Sequence, residues 1–495
     1  MGVIRRQGIK NTITSYAGIF IGFINLIIIQ PRFLTPEELG LTRILYSFSL
    51  LVAMFVPLGI GNATIRYFPI FKDKDKNHHG FFAFMNIFPL IGYVLACLII
   101  WLSRDFIMNQ YRHESPMFLE FFNFIFPLIF LNSFIAVLNV YCSSNYKSTI
   151  PAFINDVVVR ILTIAVVSIY FLKLVTLHQF IMLFVLVYAV QLILLIIYVY
   201  HFDRPVLKID WAIFREKKFL NLIQYGLLLW FAGVASIGLK YFDSIMIGKY
   251  MPLAFVGIYT IAAFIPTVIE APINAFEKIA AAKISFAWSA GDKNQIFEIY
   301  HKSSLYMFLI GGFLFLNINA NIHTLFMFLP EGYQQGEIVV VIISIGTLFN
   351  MATGLNMPIL FNSDKYRYGA FFLIFLAILI LTLQMIFIPI FGITGAAIAT
   401  CSASLAYNLM MFLTVKKFFG LQPFDKKNLR VLVIIILLSS LIFVLPHFEN
   451  NYFDILIRTS IVSVIYIGIV FILKIVPEFH KYIPLIGKKI SETKD

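Results

Sequence analysis

The chain of 495 residues is too apolar and too poor in charge to be a water-soluble protein. Hydrophobic residues make up 60% of it and charged residues 13%, whereas soluble domains have about 45–50% and about 25%. The net charge of +13 fits basic loops at a membrane surface, so nucleic acid is not expected as a partner. The three cysteines lack the spacing of a zinc site. These properties predict an all-α polytopic membrane protein without a metal.

Apolar runs predict about 14 transmembrane helices, since each needs about 20 apolar residues to cross a bilayer. The predicted spans are 10–30, 41–65, 80–103, 117–142, 151–172, 178–200, 222–247, 254–277, 303–325, 337–360, 369–390, 393–415, 430–447 and 452–473. With the N-terminus inside, about 29 Lys and Arg residues fall on the inner side and about five on the outer side. This asymmetry predicts that both termini are cytoplasmic.

The spans divide into two groups of six followed by two more. We predict an N-terminal six-helix lobe, a basic cytoplasmic linker, a C-terminal six-helix lobe, transmembrane helices 13 and 14, and a cytoplasmic tail, over residues 1–200, 201–221, 222–415, 416–474 and 475–495. A shift of about 217 residues superposes Gly40 on Gly257 and Arg66 on Lys283. Because a shift of six spans preserves orientation, the two halves are expected to be related by an axis along the membrane normal.

Four short motifs occur in order on this topology. They are LTPEELG at Leu34–Gly40, LGIGNATIR at Leu58–Arg66, DSIMIG at Asp243–Gly248 followed by VGIY at Val256–Tyr259, and IFGITGAA at Ile390–Ala397. Together with the layout of the spans, they resemble the polysaccharide transporter family. These proteins are the lipid-linked oligosaccharide flippases of the multidrug/oligosaccharidyl-lipid/polysaccharide (MOP) exporter superfamily.

This resemblance implies a fold and an activity. The fold would be two six-helix, MATE-like lobes around a central cavity, plus two C-terminal helices. The activity would be alternating-access translocation of an undecaprenyl-pyrophosphate-linked oligosaccharide across the bacterial inner membrane, for O-antigen and lipopolysaccharide, capsule or exopolysaccharide synthesis. The partners would be membrane lipids, a polysaccharide polymerase and glycosyltransferases. We expect no catalytic residues and no cofactor, with coupling to H⁺ or Na⁺ left open.

Ionisable side chains inside the spans are candidates for function, since each costs about 2.5–3.5 kcal/mol to insert. Arg160 lies well inside span five, and Asp156 precedes it by one helical turn. One interpretation places both on the cavity wall, where Arg160 would bind a pyrophosphate. The alternative is an ion pair that only packs helices together.

The other candidate cations and carboxylates are in or beside the second lobe. Lys240 is interpreted as a cavity cation or as a side chain that reaches the outer surface, with Asp243 on the same helix face. Glu270, between two prolines, is a candidate for proton coupling or for structural pairing. Arg66 and Lys283, at the inner ends of their spans, could attract an anionic headgroup or simply follow the distribution of basic residues.

Several further residues receive simpler predictions. Arg43 and Arg458, close to the outer face, are expected to anchor their helices at the interface. His78 and His79 lie in a charged loop, where we expect solvated side chains. The candidates for hydrogen bonds to sugars are Asn11, Asn25, Asn132 and Asn139.

Two other classes of function remain open. One is an ion-coupled multidrug or cation antiporter of the same superfamily, although the first span lacks the carboxylate that such antiporters use. The other is a membrane scaffold or enzyme of glycan synthesis, although the predicted outer loops, of about a dozen residues, are short for a catalytic site. The sequence has no G-x-x-x-x-G-K-[ST] motif for ATP.

Overall fold

A computed structural model describes residues 14, 16–61, 64, 68, 71–73, 77–208 and 241–475. This part of the chain is helical and contains no strand, which confirms the predicted all-α class. Nine of its helices, or up to ten if a bent pair counts as one span, are long and apolar enough to cross a membrane. Each predicted span within the described residues coincides with a helix or with part of one. The total of about 14 spans is consistent with this count.

Contacts within the chain divide it into two compact units, and the first comprises residues 1–261, 329–336 and 373–399. Its helices are α1 (Tyr16–Phe33), α2 (Pro36–Ala53), α3 (Phe81–Leu102), α4 (Arg104–Tyr111), α5 (Pro116–Glu120), α6 (Ile125–Ser144), α7 (Thr149–Phe171), α8 (Leu177–Phe202), a helical segment over 241–250, and the beginning of α9 (Leu253–Phe264). Helices α2, α3 and α8 pack around α6. The predicted lobe boundaries stay predictions, and most of the linker 201–221 and of the tail 475–495 lies outside the described residues.

The LTPEELG motif forms the start of α2. Thr35 is the N-cap: its Oγ1 accepts from the backbone N–H of Glu38 at 3.2 Å, and the Glu38 carboxylate accepts from the N–H of Thr35 at 2.9 Å. This capping box satisfies two donors at the helix end, and Pro36 has no N–H to satisfy at the first helical position. The hydroxyl of Tyr170, on α7, donates to the same Glu38 carboxylate. The motif therefore fixes where α2 begins and ties it to α7.

Two helices of the first unit contain a π-helical turn. The turn in α1 is Ile24–Ile29, and the turn in α7 is Ile154–Val158. Such turns occur often at functional sites. Helices α1 and α7 approach closely because Gly18 faces α7: a Cβ there would lie 2.7 Å from the Cβ of Asp156. Small residues allow this spacing between membrane helices.

The structure differs from the prediction at His78, whose side chain is buried. Its Nδ1 accepts from the backbone N–H of Asp73 at 3.1 Å, so Nε2 carries the proton that is donated to the Asp203 carboxylate at 3.2 Å. The hydroxyl of the buried Tyr141 donates to the same carboxylate. The loop before α3 is thus joined to the end of α8. Asp203, which is distant in sequence, is thus the hydrogen-bond partner of the His78 Nε2.

The second unit comprises residues 262–328, 337–372 and 400–495. Its helices are α10 (Thr267–Ser289), α11 (Lys293–Ala320), α12 (Ile322–Met327), α13 (Glu337–Thr353), α14 (Asn356–Phe361), the two ends of α15 (Tyr366–Phe419), α16 (Lys426–Ile442) and α17 (Asn451–Ile472). Helices α10, α13, α16 and α17 all pack on α11. Two adjacent glycines of α11 make room for them: a Cβ on Gly311 would lie 2.6 Å from the Met351 sulfur, and one on Gly312 would lie 3.1 Å from the Tyr466 hydroxyl.

Segment α15 consists of two helices that join at Gly392. This residue has φ 61° and ψ −139°, a conformation that only glycine adopts without strain. The two ends of α15 meet in the second unit, where the rings of Tyr368 and Phe418 are 5.0 Å apart. The break corresponds to the predicted boundary between spans 369–390 and 393–415.

Arg458 also differs from its prediction. Its side chain is buried, with 3% exposure, and does not reach an interface. Its guanidinium donates to the carbonyl of Ala320 at 2.8 Å and to the carbonyls of Leu445 and Pro446 at 3.3 Å each. Asp454, one turn earlier and 1% exposed, interacts electrostatically with it. Arg458 therefore holds the chain between α16 and α17 in place against the end of α11.

Candidate functional site

A group of polar side chains lies in the interior of the first unit around Arg43 of α2. The Arg43 Nη2 donates to the Gln30 Oε1 at 2.9 Å, and the Gln30 Nε2 donates to the Asn25 Oδ1 at 3.2 Å. Gln30 and Asn25 are buried residues of α1, and Asn25 belongs to its π-helical turn. Arg43 therefore faces α1 and not the membrane interface, so the anchoring role predicted for it is wrong.

Three tyrosines surround the Arg43 guanidinium and interact with it electrostatically: Tyr46 of α2, Tyr188 of α8 and Tyr241. The rings of Tyr46 and Tyr188 stack with their centroids 5.2 Å apart, and Tyr241 meets Tyr46 edge-on at 6.2 Å. In the described part of the chain the buried Arg43 Nε has no hydrogen-bond partner. The Arg43 guanidinium therefore has one N–H group without an acceptor among the described residues, and polar and aromatic side chains surround it.

Arg160 of α7 lies in the same region. Its Nη1 donates to the backbone carbonyl of Gly18 in α1, and its guanidinium lies over Gly22, where a side chain would collide with it. Its charge is attracted by Asp156 and repelled by Arg43. Asp156 therefore acts on Arg160 electrostatically within α7, and the cavity-facing role predicted for the two side chains stays a prediction. The structure also gives Arg160 a packing contact with α1. We call Arg43, Arg160, Asn25 and Gln30 the cationic cluster.

A second set of amides connects α6, α7 and α8. The Asn155 Nδ2 donates to the Asn139 Oδ1 at 3.1 Å, and the Gln191 Nε2 donates to the Asn155 Oδ1 at 2.7 Å. Asn155 precedes Asp156 in the π-helical turn of α7. Of the other predicted asparagines, Asn132 donates to the Leu128 carbonyl of its own helix. Asn11 lies outside the described residues.

The cationic cluster has the chemistry of an anion site. Two guanidiniums repel one another in partly buried surroundings, and no carboxylate within the described residues forms an ion pair with Arg43. Like charges with little solvent favour binding of an opposite charge. Arginine is suited to phosphate oxygens because its planar group donates two parallel hydrogen bonds.

Asp243 is held by hydrogen bonds rather than solvated. Its carboxylate accepts from the Tyr259 hydroxyl at 2.6 Å and from the amide of the buried Gln384. Its predicted neighbour Lys240 lies outside the described residues, as does Arg66. The structure therefore does not describe Lys240 and Arg66, which are two of the predicted substrate-binding cations.

The remaining candidates belong to the second unit. Glu270 of α10 is partly buried and repels Glu277, which lies two turns further along the same helix. Lys283 is exposed and lines a surface pocket of about 500 Å³ with Phe286 and Lys302. The Lys302 ammonium forms an ion pair with Glu298 at 2.6 Å. No group of three metal-ligating side chains occurs in the part of the chain that is described.

Sequence reasoning missed Arg43 because distance from the end of a span was the only guide to its environment. A signal was present: Gln30 and Asn25 are polar residues in the preceding apolar span, and polar side chains in membranes need partners. Which partner they have is determined by the packing of α1 against α2.

Comparison with known proteins identifies the family. A family model described as polysaccharide biosynthesis protein matches residues 29–316. An uncharacterized membrane protein of Methanocaldococcus jannaschii is 25% identical over an alignment of 466 residues, with coverage of 87% for each of the two chains.

Solved structures share the fold. The lipid II flippase MurJ in an inward closed conformation has a TM-score of 0.74 at 14% identity and covers 97% of this chain and 100% of its own. An inward-facing multidrug resistance MATE family transporter of the MOP superfamily has a TM-score of 0.62 at 13% identity, with coverage of 88% and 99%. Because the family model covers more than half of the sequence, the chain belongs to the polysaccharide biosynthesis protein family, and it shares its fold with MurJ and with this MATE family transporter.

Proposed function

We propose that the protein is a flippase that translocates an undecaprenyl-pyrophosphate-linked oligosaccharide across the bacterial inner membrane by alternating access. Both termini would be cytoplasmic, and the product would enter synthesis of O-antigen, capsule or exopolysaccharide. The family supports a role in polysaccharide biosynthesis, and the MOP fold supports transport. The identity of the cargo as a lipid-linked oligosaccharide is our own addition to what the family and the fold support.

The observation that carries this proposal is the cationic cluster in the first unit. A pyrophosphate has several anionic oxygens, and Arg43 has a buried Nε without a partner within the described residues. Bound between Arg43 and Arg160, the anion would relieve the repulsion between the two guanidiniums. The amides of Asn155 and Gln191 and the ring of Tyr188 would suit a sugar, by hydrogen bonding and by stacking.

The chain's own residues thus have separable roles in this proposal. Arg43 would bind the pyrophosphate, Gln30 would hold the Arg43 side chain in position, and Arg160 would both attract the anion and join α7 to α1. No ATP motif is present in the sequence. An H⁺ or Na⁺ gradient, the membrane potential or consumption of the product would drive the net movement. A polymerase and glycosyltransferases are the proposed partners.

A reconstitution assay tests the function. Purified protein is incorporated into liposomes with a fluorescent undecaprenyl-pyrophosphate oligosaccharide, and a membrane-impermeant quencher reports how much label reaches the other leaflet. We expect translocation by the wild type and at least a tenfold lower rate for Arg43→Gln, since hydrogen bonds to charged groups contribute about 1.5–3 kcal/mol. Arg32→Gln, at an exposed arginine of α1, is the charge-matched control and should keep the wild-type rate.

The same liposomes distinguish the alternatives. Absence of translocation across several glycans and an imposed ion gradient, together with proton-coupled export of lipophilic cations, would identify an antiporter. Absence of both activities from folded protein would favour the scaffold. Equal rates for Arg43→Gln and Arg32→Gln would retain the flippase and remove the cationic cluster from its mechanism.

A further inference from the structure

A basic and aromatic pocket lies where the two ends of α15 meet in the second unit, away from the cationic cluster. Its volume is about 550 Å³. The residues that matter for its chemistry are Arg367, Tyr368 and Phe371 at the start of α15 and Thr414, Lys417 and Phe418 at its end. We call it the α15 pocket. The proposed function does not use it.

The positive charges of the α15 pocket are not neutralised by the protein. Neither Arg367 nor Lys417 forms an ion pair with a carboxylate anywhere in the described ranges. The adjacent Lys365 does so, with Asp364 at 3.4 Å. The surface pocket at Lys283 differs in this respect, because there Glu298 pairs with Lys302. Two cations of the α15 pocket are therefore left to an external anion.

Two lysine ammonium groups lie near the Phe418 ring, which lines the pocket. The Lys417 ammonium lies 5.9 Å from the centre of the Phe418 ring, and the Lys365 ammonium lies 5.6 Å from it. Contacts at this range between an ammonium and a ring face are attractive. The Tyr368 ring packs on Phe418 with the centroids 5.0 Å apart. Phe418 thus gathers positive charge at one edge of the pocket.

The other edge is apolar and exposed. Phe371 is 60% exposed and Tyr368 is 44% exposed. Both belong to the start of α15, a segment that is long and apolar enough to cross a membrane. An aromatic residue next to basic residues at the end of a span is typical of the boundary between headgroups and acyl chains. A ligand in the α15 pocket would therefore meet cations at one end and hydrocarbon at the other.

We propose that the α15 pocket binds an anionic phospholipid, with the headgroup phosphate between Arg367 and Lys417 and an acyl chain along Phe371. Basic pockets between membrane helices bind such headgroups. A free phosphate would bind the two cations but would not contact the exposed rings of Tyr368 and Phe371. A phospholipid would contact both, so it fits the lining of the pocket better. Arginine supplies a bidentate contact to the phosphate, and lysine supplies a point charge.

Lipid binding to the full-length protein tests this proposal. The protein is purified in a neutral detergent, and binding of phosphatidylglycerol is measured by native mass spectrometry and by the shift in unfolding temperature, with phosphatidylcholine as the zwitterionic comparison. Each cation near an anionic headgroup contributes about fivefold to affinity. We therefore expect Arg367→Gln/Lys417→Gln to weaken phosphatidylglycerol binding about 25-fold and to leave phosphatidylcholine binding unchanged.

The matched control is Lys293→Gln/Lys302→Gln, which removes the same charge from α11 outside the α15 pocket. It should retain wild-type affinity, and Arg367→Lys should retain most of it. Equal loss in both double variants would overturn the proposal, because the effect would then be net charge. Equal affinity of the wild type for phosphatidylglycerol and phosphatidylcholine would also overturn the proposal. This comparison does not depend on whether any variant folds. The same shift with glycerol phosphate alone would identify a free-phosphate site and overturn the lipid assignment.

Discussion

Gly40 of α2 and Gly257 of α9 pack backbone against backbone. A Cβ on Gly40 would lie 3.2 Å from the Gly257 nitrogen, and one on Gly257 would lie 3.3 Å from the Gly40 nitrogen. Each glycine also faces the carbonyl of the residue four positions before the other, Leu253 or Pro36. The shift of about 217 residues that superposes Gly40 on Gly257 also superposes Pro36 on Leu253. The contact is therefore reciprocal, because each glycine meets the same two positions of the other helix.

This contact predicts that neither glycine tolerates a methyl group. The atoms that a new Cβ would meet are backbone atoms, which cannot rotate away, so the helices must separate. We expect Gly40→Ala and Gly257→Ala each to reduce the free energy of unfolding by about 1–3 kcal/mol, measured by equilibrium unfolding in mixed micelles. Gly468→Ala is the control, because nothing lies within 4 Å of a Cβ there. It should be neutral or stabilising. Similar values for all three variants would contradict the close crossing.

The two arginines of the cationic cluster are expected to differ in their effect on stability. Arg160→Met removes the donor to the Gly18 carbonyl and the charge that faces Asp156, so we expect a loss of about 2–4 kcal/mol. Arg43→Met removes a charge with an unused donor and one hydrogen bond to Gln30. We expect at most about 1 kcal/mol there, with translocation nevertheless lost. Unfolding and translocation measured on the same preparations separate the two roles. Equal losses of stability would show that both arginines serve packing.

The buried pair in the second unit gives a third prediction. Arg458→Met removes the donors to three backbone carbonyls and a cation that acts on the buried Asp454, so we expect a loss of about 3–5 kcal/mol in unfolding free energy. Asp454→Asn in the same chain should restore part of it, because neighbouring changes in one network are not additive. Arg112→Met, at an exposed arginine, should change stability by less than about 0.5 kcal/mol. An Arg458→Met protein as stable as Arg112→Met would mean that the carbonyl contacts contribute little.

The predictions from sequence succeeded for properties that depend on local composition. Apolar length determines where helices can cross a bilayer, and the long apolar helices of the described residues overlap the predicted spans. The LTPEELG motif led to the correct family because its capping residues act within one turn of helix. Helical periodicity anticipated an electrostatic interaction of Arg160 with Asp156, and the role predicted for the two side chains in a cavity stays a prediction.

The environment of single polar residues could not be predicted in this way. Arg43 and Arg458 were assigned to an interface from their distance to the end of a span, and His78 was assigned to solvent because its loop is charged. Each is instead bound by residues that are distant in sequence: Gln30 for Arg43, Asp203 for His78, and Ala320 for Arg458. A buried polar group must find a partner, but the sequence does not state which helix supplies it.

The sequence by itself thus determined that this protein is a helical membrane protein, where most of its helices lie and to which family it belongs. These properties follow from hydropathy, helix caps and short motifs, which act over a few residues. Only the tertiary structure decided which polar groups meet. It placed Arg43 against Gln30 of α1, and it placed Gly40 against Gly257. The physical reason is that helix packing depends on side-chain shape and small residues across several helices at once, which no single stretch of sequence contains.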